Sequence, residues 1–168
     1  MAWEPALDSV IEVAISLVGF SGIVAVVGRR GAGHWSPADQ LRLRVLLSAG
    51  GAALAFAFLP FLLIDVVDYS RTWRICSVLL AIWFVGIAVY RFRQSSMLGV
   101  RREVGFSAWL GIVQMAAVIL LVINAFWFAS SALYVLAVLW QTTVAFMTFV
   151  ALLLEAWGEP ADPTPPSK

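Results

Sequence analysis

The sequence predicts an all-α, polytopic membrane protein with five transmembrane helices, and three observations carry that prediction. Of 168 residues, 62% are hydrophobic and only 12% charged, with a mean hydropathy of +0.92, whereas soluble domains carry about 25% charged residues. Several stretches approach or exceed the ~20 apolar residues that take a helix across a bilayer. The polar sequence falls in short segments between them. This leaves a single helical bundle over residues 1–158, no separate soluble domain, and a proline-rich tail over 159–168 that reads as disordered and cytoplasmic.

The first helix is expected over about residues 8–28. It ends at Gly28-Arg29-Arg30-Gly31, a glycine and arginine pair suited to a helix end facing phosphate headgroups. The preceding residues lack a basic n-region and a small-residue cleavage site, so this helix reads as a retained span rather than a removable signal. A re-entrant first segment, leaving four spans, is the alternative. Ser36 as N-cap, Pro37 at the first helical position and Asp39 in the first turn open helix 2, about 37–67. At ~45 Å it exceeds a ~30 Å hydrocarbon core, so it must project, tilt or bend. Pro60 offers the bend, because it removes the donor for the carbonyl of Phe56 and crowds that turn. Ala49, Ala53 and Ala57, with Gly51 and Ala55 beside them, form a small-residue stripe answered on helix 1 by Gly19 and Gly22. Such faces let membrane helices approach closely, and helices 1 and 2 are the expected closest pair.

Helix 3, about 71–93, follows the short turn from Asp65 to Ser70 and forms an antiparallel hairpin with helix 2. A polar connection over 91–105 leads to an apolar stretch over 106–157, too long for one span. Asn124 to Ser131 is the break within it, dividing helix 4 (106–124) from helix 5 (131–157), which Gly158 and Pro160 close. With this topology Arg29, Arg30, Arg42, Arg44, Arg91, Arg93, Arg101, Arg102 and Lys168 share one side and only Arg71 and Arg74 the other. The positive-inside rule then places the N-terminus outside and the C-terminus in the cytoplasm. No lysine or arginine precedes helix 1, so the bias does not test that span.

Whole classes of chemistry are excluded by counting. One cysteine, Cys76, forbids an internal disulfide, and one histidine, His34, leaves too few nitrogen and sulfur ligands for zinc, copper or haem. The only lysine is Lys168, in the tail, so no buried amine is available for a Schiff base. There is no nucleophile elbow, P-loop or HExxH, and five helices do not divide into inverted repeats. No enzyme activity, metal, cofactor or nucleic-acid partner is expected. The Gly-Phe-Ser-Gly and Trp-Ser-Pro-Ala-Asp patterns resemble those of an uncharacterised bacterial membrane protein. That resemblance implies a multi-pass protein of the bacterial cytoplasmic membrane and nothing about activity.

The candidate site residues lie mainly on helix 1. Asp8, Glu12, Ser16, Gly19 and either Gly22 or Ile23 fall near one line of a helix, a stripe too polar for lipid. Counted from Asp8, Glu12 lies about four residues, or ~6 Å, inside the helix, at the expected level of Arg71 and Arg74. A structural ion pair with those arginines is the plain expectation, and Asp65 is read the same way. The functional reading is a ring of Glu12 carboxylates about an oligomer axis, or a single carboxylate selecting a cation. The outer acids Glu4, Asp8, Asp65 and Asp68 either form an acidic vestibule that concentrates cations or are merely solvated, and solvation is the preferred reading for Glu4 and Asp68. Gln114 and Gln141 fall at equal depth about the helix 4 to helix 5 turn and are expected to pair as interhelical glue worth ~0.6–2 kcal/mol. With Thr142, Thr143 and Thr148 nearby, a polar lining there is the less favoured reading. Trp3, Trp73 and Trp127 are assigned to the outer interface and Trp35, Trp109 and Trp157 to the inner, as an aromatic belt, with Trp83 and Trp140 packing at depth. Arg29-Arg30 and Arg101-Arg102 suit anionic lipid headgroups.

The function expected from these residues is a small homo-oligomer forming a cation-permeable path lined by helix 1. The alternative is a non-conducting interaction protein, an accessory subunit or scaffold of a larger membrane complex.

Overall fold

The computed structural model describes residues 3–31, 37–98 and 104–158. It is all-helical, with no strand among the described residues. The helices are α1 (Glu4–Gly31), α2 (Pro37–Leu63), α3 (Tyr69–Leu98), α4 (Val104–Ile123) and α5 (Ser131–Gly158), with a π-helical turn at Asn124–Phe128 between the last two. Each of the five contains a segment long and apolar enough to cross a membrane. The tail over 159–168, His34, Trp35, Arg101 and Arg102 lie outside the described residues.

The helix starts follow from local chemistry. α1 begins four residues before the expected Asp8, because Pro5 is compatible with a first turn, Glu4 favours the positive end of the helix dipole, and the Leu7 N–H donates to the Trp3 carbonyl at 3.1 Å. α2 starts at Pro37, as its N1 proline predicts. It stops at Leu63, short of Val67, where the Val66 and Val67 N–H groups both turn back to the Leu63 carbonyl at 3.0 and 2.9 Å. Beyond Ile123 the last turn of α4 widens into the π-helix. Ala129 ends it in the left-handed conformation (φ 50°), with its N–H on the Asn124 carbonyl.

Asn124 holds this break in place with every polar atom of its side chain. Its Oδ1 accepts from the Ser130 N–H at 2.7 Å, while Nδ2 donates to the Ser130 carbonyl and to Ser77 Oγ on α3, both at 2.9 Å. The end of the bundle that carries the α2–α3 and α4–α5 turns, called the turn end below, is therefore stitched across helices. Tyr69 at the start of α3 adds a bond to Ser131 Oγ at the start of α5, 3.3 Å.

α1, α2 and α5 pack as a three-helix core. α3 and α4 lie against each other on its flank, and α4 touches α5 only slightly. The α2–α5 contact is more extensive than the α1–α2 contact, which corrects the expected order of helix pairs. Ala49, Ala53 and Ala57 are fully buried on this side of α2, so the stripe of small residues serves both neighbours. The glycine that brings α1 close is Gly50, where an added Cβ would stand 2.9 Å from Val18 Cγ2; Gly19, Gly22 and Gly51 would meet nothing within 4 Å.

The aromatic belt also needs correction. Trp3 and Trp73 are 6% and 0% exposed and stack edge-on at 5.0 Å, inside the turn end of the core. Trp127, by contrast, is 72% exposed beside Phe126 and Phe128. Position along the chain did not settle the side of the helix from which Trp3 and Trp73 project.

Candidate functional site: the outward face of α1

Packing divides α1 cleanly into two faces. Leu7, Val10, Ala14, Leu17 and Ser21 are buried, at spacings of three and four that define one helical stripe. At about 100° per residue, Glu12 lies roughly 180° from the middle of that stripe. Asp8, Glu12, Ser16, Gly19, Gly22 and Ile23 are all exposed. The predicted line of residues is thus one continuous face that points directly away from the chain's other described helices.

That face presents hydrogen-bond acceptors. Ser16 Oγ donates its proton to the Glu12 carbonyl at 2.8 Å, and Ser9 Oγ donates to the Pro5 carbonyl at 3.0 Å. With their protons turned back onto the helix, both hydroxyls offer only lone pairs outward. The Asp8 and Glu12 carboxylates complete the set.

The level of Glu12 differs from the expected one. Because α1 begins at Glu4, Glu12 lies eight residues from the helix start, ~12 Å rather than ~6 Å by helix rise. The neighbouring helix fixes the level independently. Trp3 stacks on Phe61 at 5.4 Å and Val18 lies against Gly50, so the two antiparallel helices place Glu12 across from roughly residues 52–56 of α2. This is the centre of the apolar segment Leu43–Leu63.

Arg71 and Arg74 are elsewhere. They flank Trp73, which stacks on Trp3, and are therefore level with the start of α1, ~13 Å from Glu12 along the helix axis. Arg71 pairs instead with Asp68 at 3.6 Å, with both side chains three-quarters exposed, an arrangement worth little. No ion pair joins Glu12 or Asp65 to Arg71 or Arg74 among the described residues. Arg29 and Arg30 occupy the last turn of α1.

The two glutamines reach comparable depth but do not bond each other. Gln114 Oε1 accepts from Trp140 Nε1 at 2.9 Å, its Nε2 is buried without a partner, and Gln141 Nε2 turns to the Ala49 carbonyl of α2 at 3.5 Å. The cause is the lean of α4 onto α3, which leaves Gln141 on the α2 side of α5. Thr142, Thr143 and Thr148 each donate to the carbonyl four residues back in their own helix. At about 100° per residue they project in three different directions, Thr142 buried, Thr143 exposed and Thr148 half-buried, so they form no shared polar lining.

Two features had no counterpart in the sequence reading. The Tyr134 hydroxyl donates to the Phe56 carbonyl at 2.7 Å, the acceptor that Pro60 leaves without a helical donor. An apolar groove of about 350 Å³ opens between α2 and α3, lined by Ala55, Phe56, Leu59, Leu79, Ile82 and Trp83. Pro60 signalled that some donor was needed; nothing local pointed to a tyrosine 78 positions away. Among the described residues no group of three His, Cys, Asp or Glu could hold a metal.

No family model, curated protein or solved structure matches the chain. The functional reading therefore rests on its own side chains.

Proposed function

We propose that this chain is a small homo-oligomeric protein of the bacterial cytoplasmic membrane that forms a cation-permeable path lined by α1, with its turn end outside and its C-terminus in the cytoplasm. The observation that supports this most is the place of Glu12, level with the middle of the apolar segment of α2 and aimed away from its own subunit. A carboxylate at mid-membrane facing lipid costs about 2.5–3.5 kcal/mol on insertion scales. Copies arranged about a cyclic axis remove that exposure by presenting the same face of each α1 to a shared centre. The subunit's own core is packed with side chains, so the path lies between copies. A lining made of carboxylates and hydroxyl lone pairs replaces the hydration of a cation and repels an anion. The asymmetry of arginines between the two ends supports the orientation.

The test is flux of monovalent cations into liposomes reconstituted with purified protein. Wild type is expected to conduct cations over anions, and Glu12→Gln combined with Asp8→Asn to lose that flux; unchanged flux in the double variant contradicts the proposal. The exposed strip at Gly19 and Gly22, open to close approach by another helix, also supports the second reading, a non-conducting subunit of a larger complex. A distinct protein that co-purifies, is lost on Gly19→Leu, and is accompanied by no flux selects it.

A further inference from the structure

We infer that α1 and the proline break in α2 form one mechanical unit, coupled through a closed circuit of aromatic contacts at the turn end, with the Tyr134 hydroxyl as its latch. The circuit starts at the Phe56 carbonyl, orphaned by Pro60 and held by Tyr134 from α5 at 2.7 Å. The Tyr134 ring packs on Trp73 of α3 at 5.5 Å, Trp73 meets Trp3 edge-on at 5.0 Å, and Trp3 stacks on Phe61 at 5.4 Å. Phe61 is the residue after Pro60. The path thus leaves α2 on one side of the proline, crosses three other helices, and returns to α2 on the other side.

Tyr134 and Trp73 are fully buried and Trp3 nearly so, and buried interdigitated rings transmit displacement rather than absorb it. A proline inside a helix is a point of weakness where bending concentrates. Room to bend lies beside it: Phe56 and Leu59, on the turn before Pro60, face Leu79 and Ile82 across the groove of about 350 Å³. Movement of the outer turn of α2 about Pro60 carries Phe61, hence Trp3, hence the start of α1. The Tyr134 bond opposes it by holding Phe56. That the movement would re-aim Glu12 and so regulate conduction rests on the proposed function; the coupling itself does not.

Spin labels at Leu62 and Leu47, exposed on the two sides of Pro60, read the bend of α2 in chains diluted into unlabelled protein. Labels at Ile15, also exposed, and Leu47 read whether α1 follows the bend, and the pair Leu62–Ile15 reads the distance inside the coupled unit. Tyr134→Phe, which removes one oxygen and keeps the ring, is expected to broaden and shift both the Leu62–Leu47 and the Ile15–Leu47 distributions and to leave Leu62–Ile15 unchanged. In a Pro60→Ala background residue 60 regains its N–H, the Phe56 carbonyl regains a helical donor, and the effect of Tyr134→Phe is expected to vanish. An unchanged Leu62–Leu47 distribution in Tyr134→Phe, a change there that Ile15–Leu47 does not follow, or an equal change with and without Pro60→Ala, overturns the inference. If Tyr134→Phe does not fold, Pro60→Ala alone decides: narrowed Leu62–Leu47 and Ile15–Leu47 distributions support the coupled hinge and unaltered ones refute it. Flux measured on the same variants separates the two claims, since distances that shift without any wild-type cation flux uphold the coupling and dismiss the cation path.

Discussion

At Phe56 the backbone has an acceptor that its own helix cannot satisfy, and the side chain that answers it comes from another helix. Leaving a buried acceptor unpaired costs about 1–3 kcal/mol, so Tyr134→Phe should lower stability by that amount in a detergent unfolding titration, with little change in Pro60→Ala. Asn124 carries more, with three side-chain bonds from one buried amide. Asn124→Ala is expected to destabilise by roughly 2–4 kcal/mol, since buried donors and acceptors on both α3 and the turn lose their partners; a loss within ~0.5 kcal/mol would show the turn held by packing alone. Single residues were also where sequence reasoning reached its edge. The composition of the α1 stripe was legible from periodicity, but the depth of Glu12 depended on where α1 starts, and Pro5, suited to a first helical turn, lets the helix begin at Glu4 rather than Asp8. Gln114 and Gln141 were rightly placed in depth and wrongly paired, because depth follows from counting whereas facing follows from the lean of whole helices.

Among the helices, glycine positions separate what a helix face needs from what it merely contains. Gly50 meets Val18, a β-branched residue with little rotamer freedom in a helix, whereas Gly51 is exposed and open. Replacing a helical glycine by alanine ordinarily favours the helix by about 1 kcal/mol. Gly51→Ala should therefore be neutral or stabilising, while Gly50→Ala should forfeit the gain because Val18 must shift; equal effects in thermal unfolding would contradict the close approach of α1 and α2. The existence and order of the helices were legible from apolar run length, and the break at Asn124 from its polar and aromatic residues. The inward turn of Trp3 and Trp73 was not, because a tryptophan near a helix end suits a membrane interface and a buried core equally well by sequence.

For the whole molecule, five apolar helices close one core around α2 and leave α1 with its most polar side unopposed. A Cβ added at Gly19 would meet no other helix within 4 Å among the described residues, so Gly19→Leu should leave the chain's folding intact and, on the proposed function, weaken its self-association, read as a smaller particle in detergent with unchanged helical content. A loss of fold in that variant would place Gly19 against the protein's own helices instead. The class of fold was legible because 62% hydrophobic composition admits few alternatives. The grouping of α1, α2 and α5 was not, since long-range packing rather than chain order chose those neighbours. The central claim is that Glu12 faces a cation path shared between copies, and cation flux through liposomes with wild type and Glu12→Gln measures it directly. The account predicts cation-selective flux in wild type that falls by about an order of magnitude or more on neutralising Glu12; equal flux in the two proteins would contradict it.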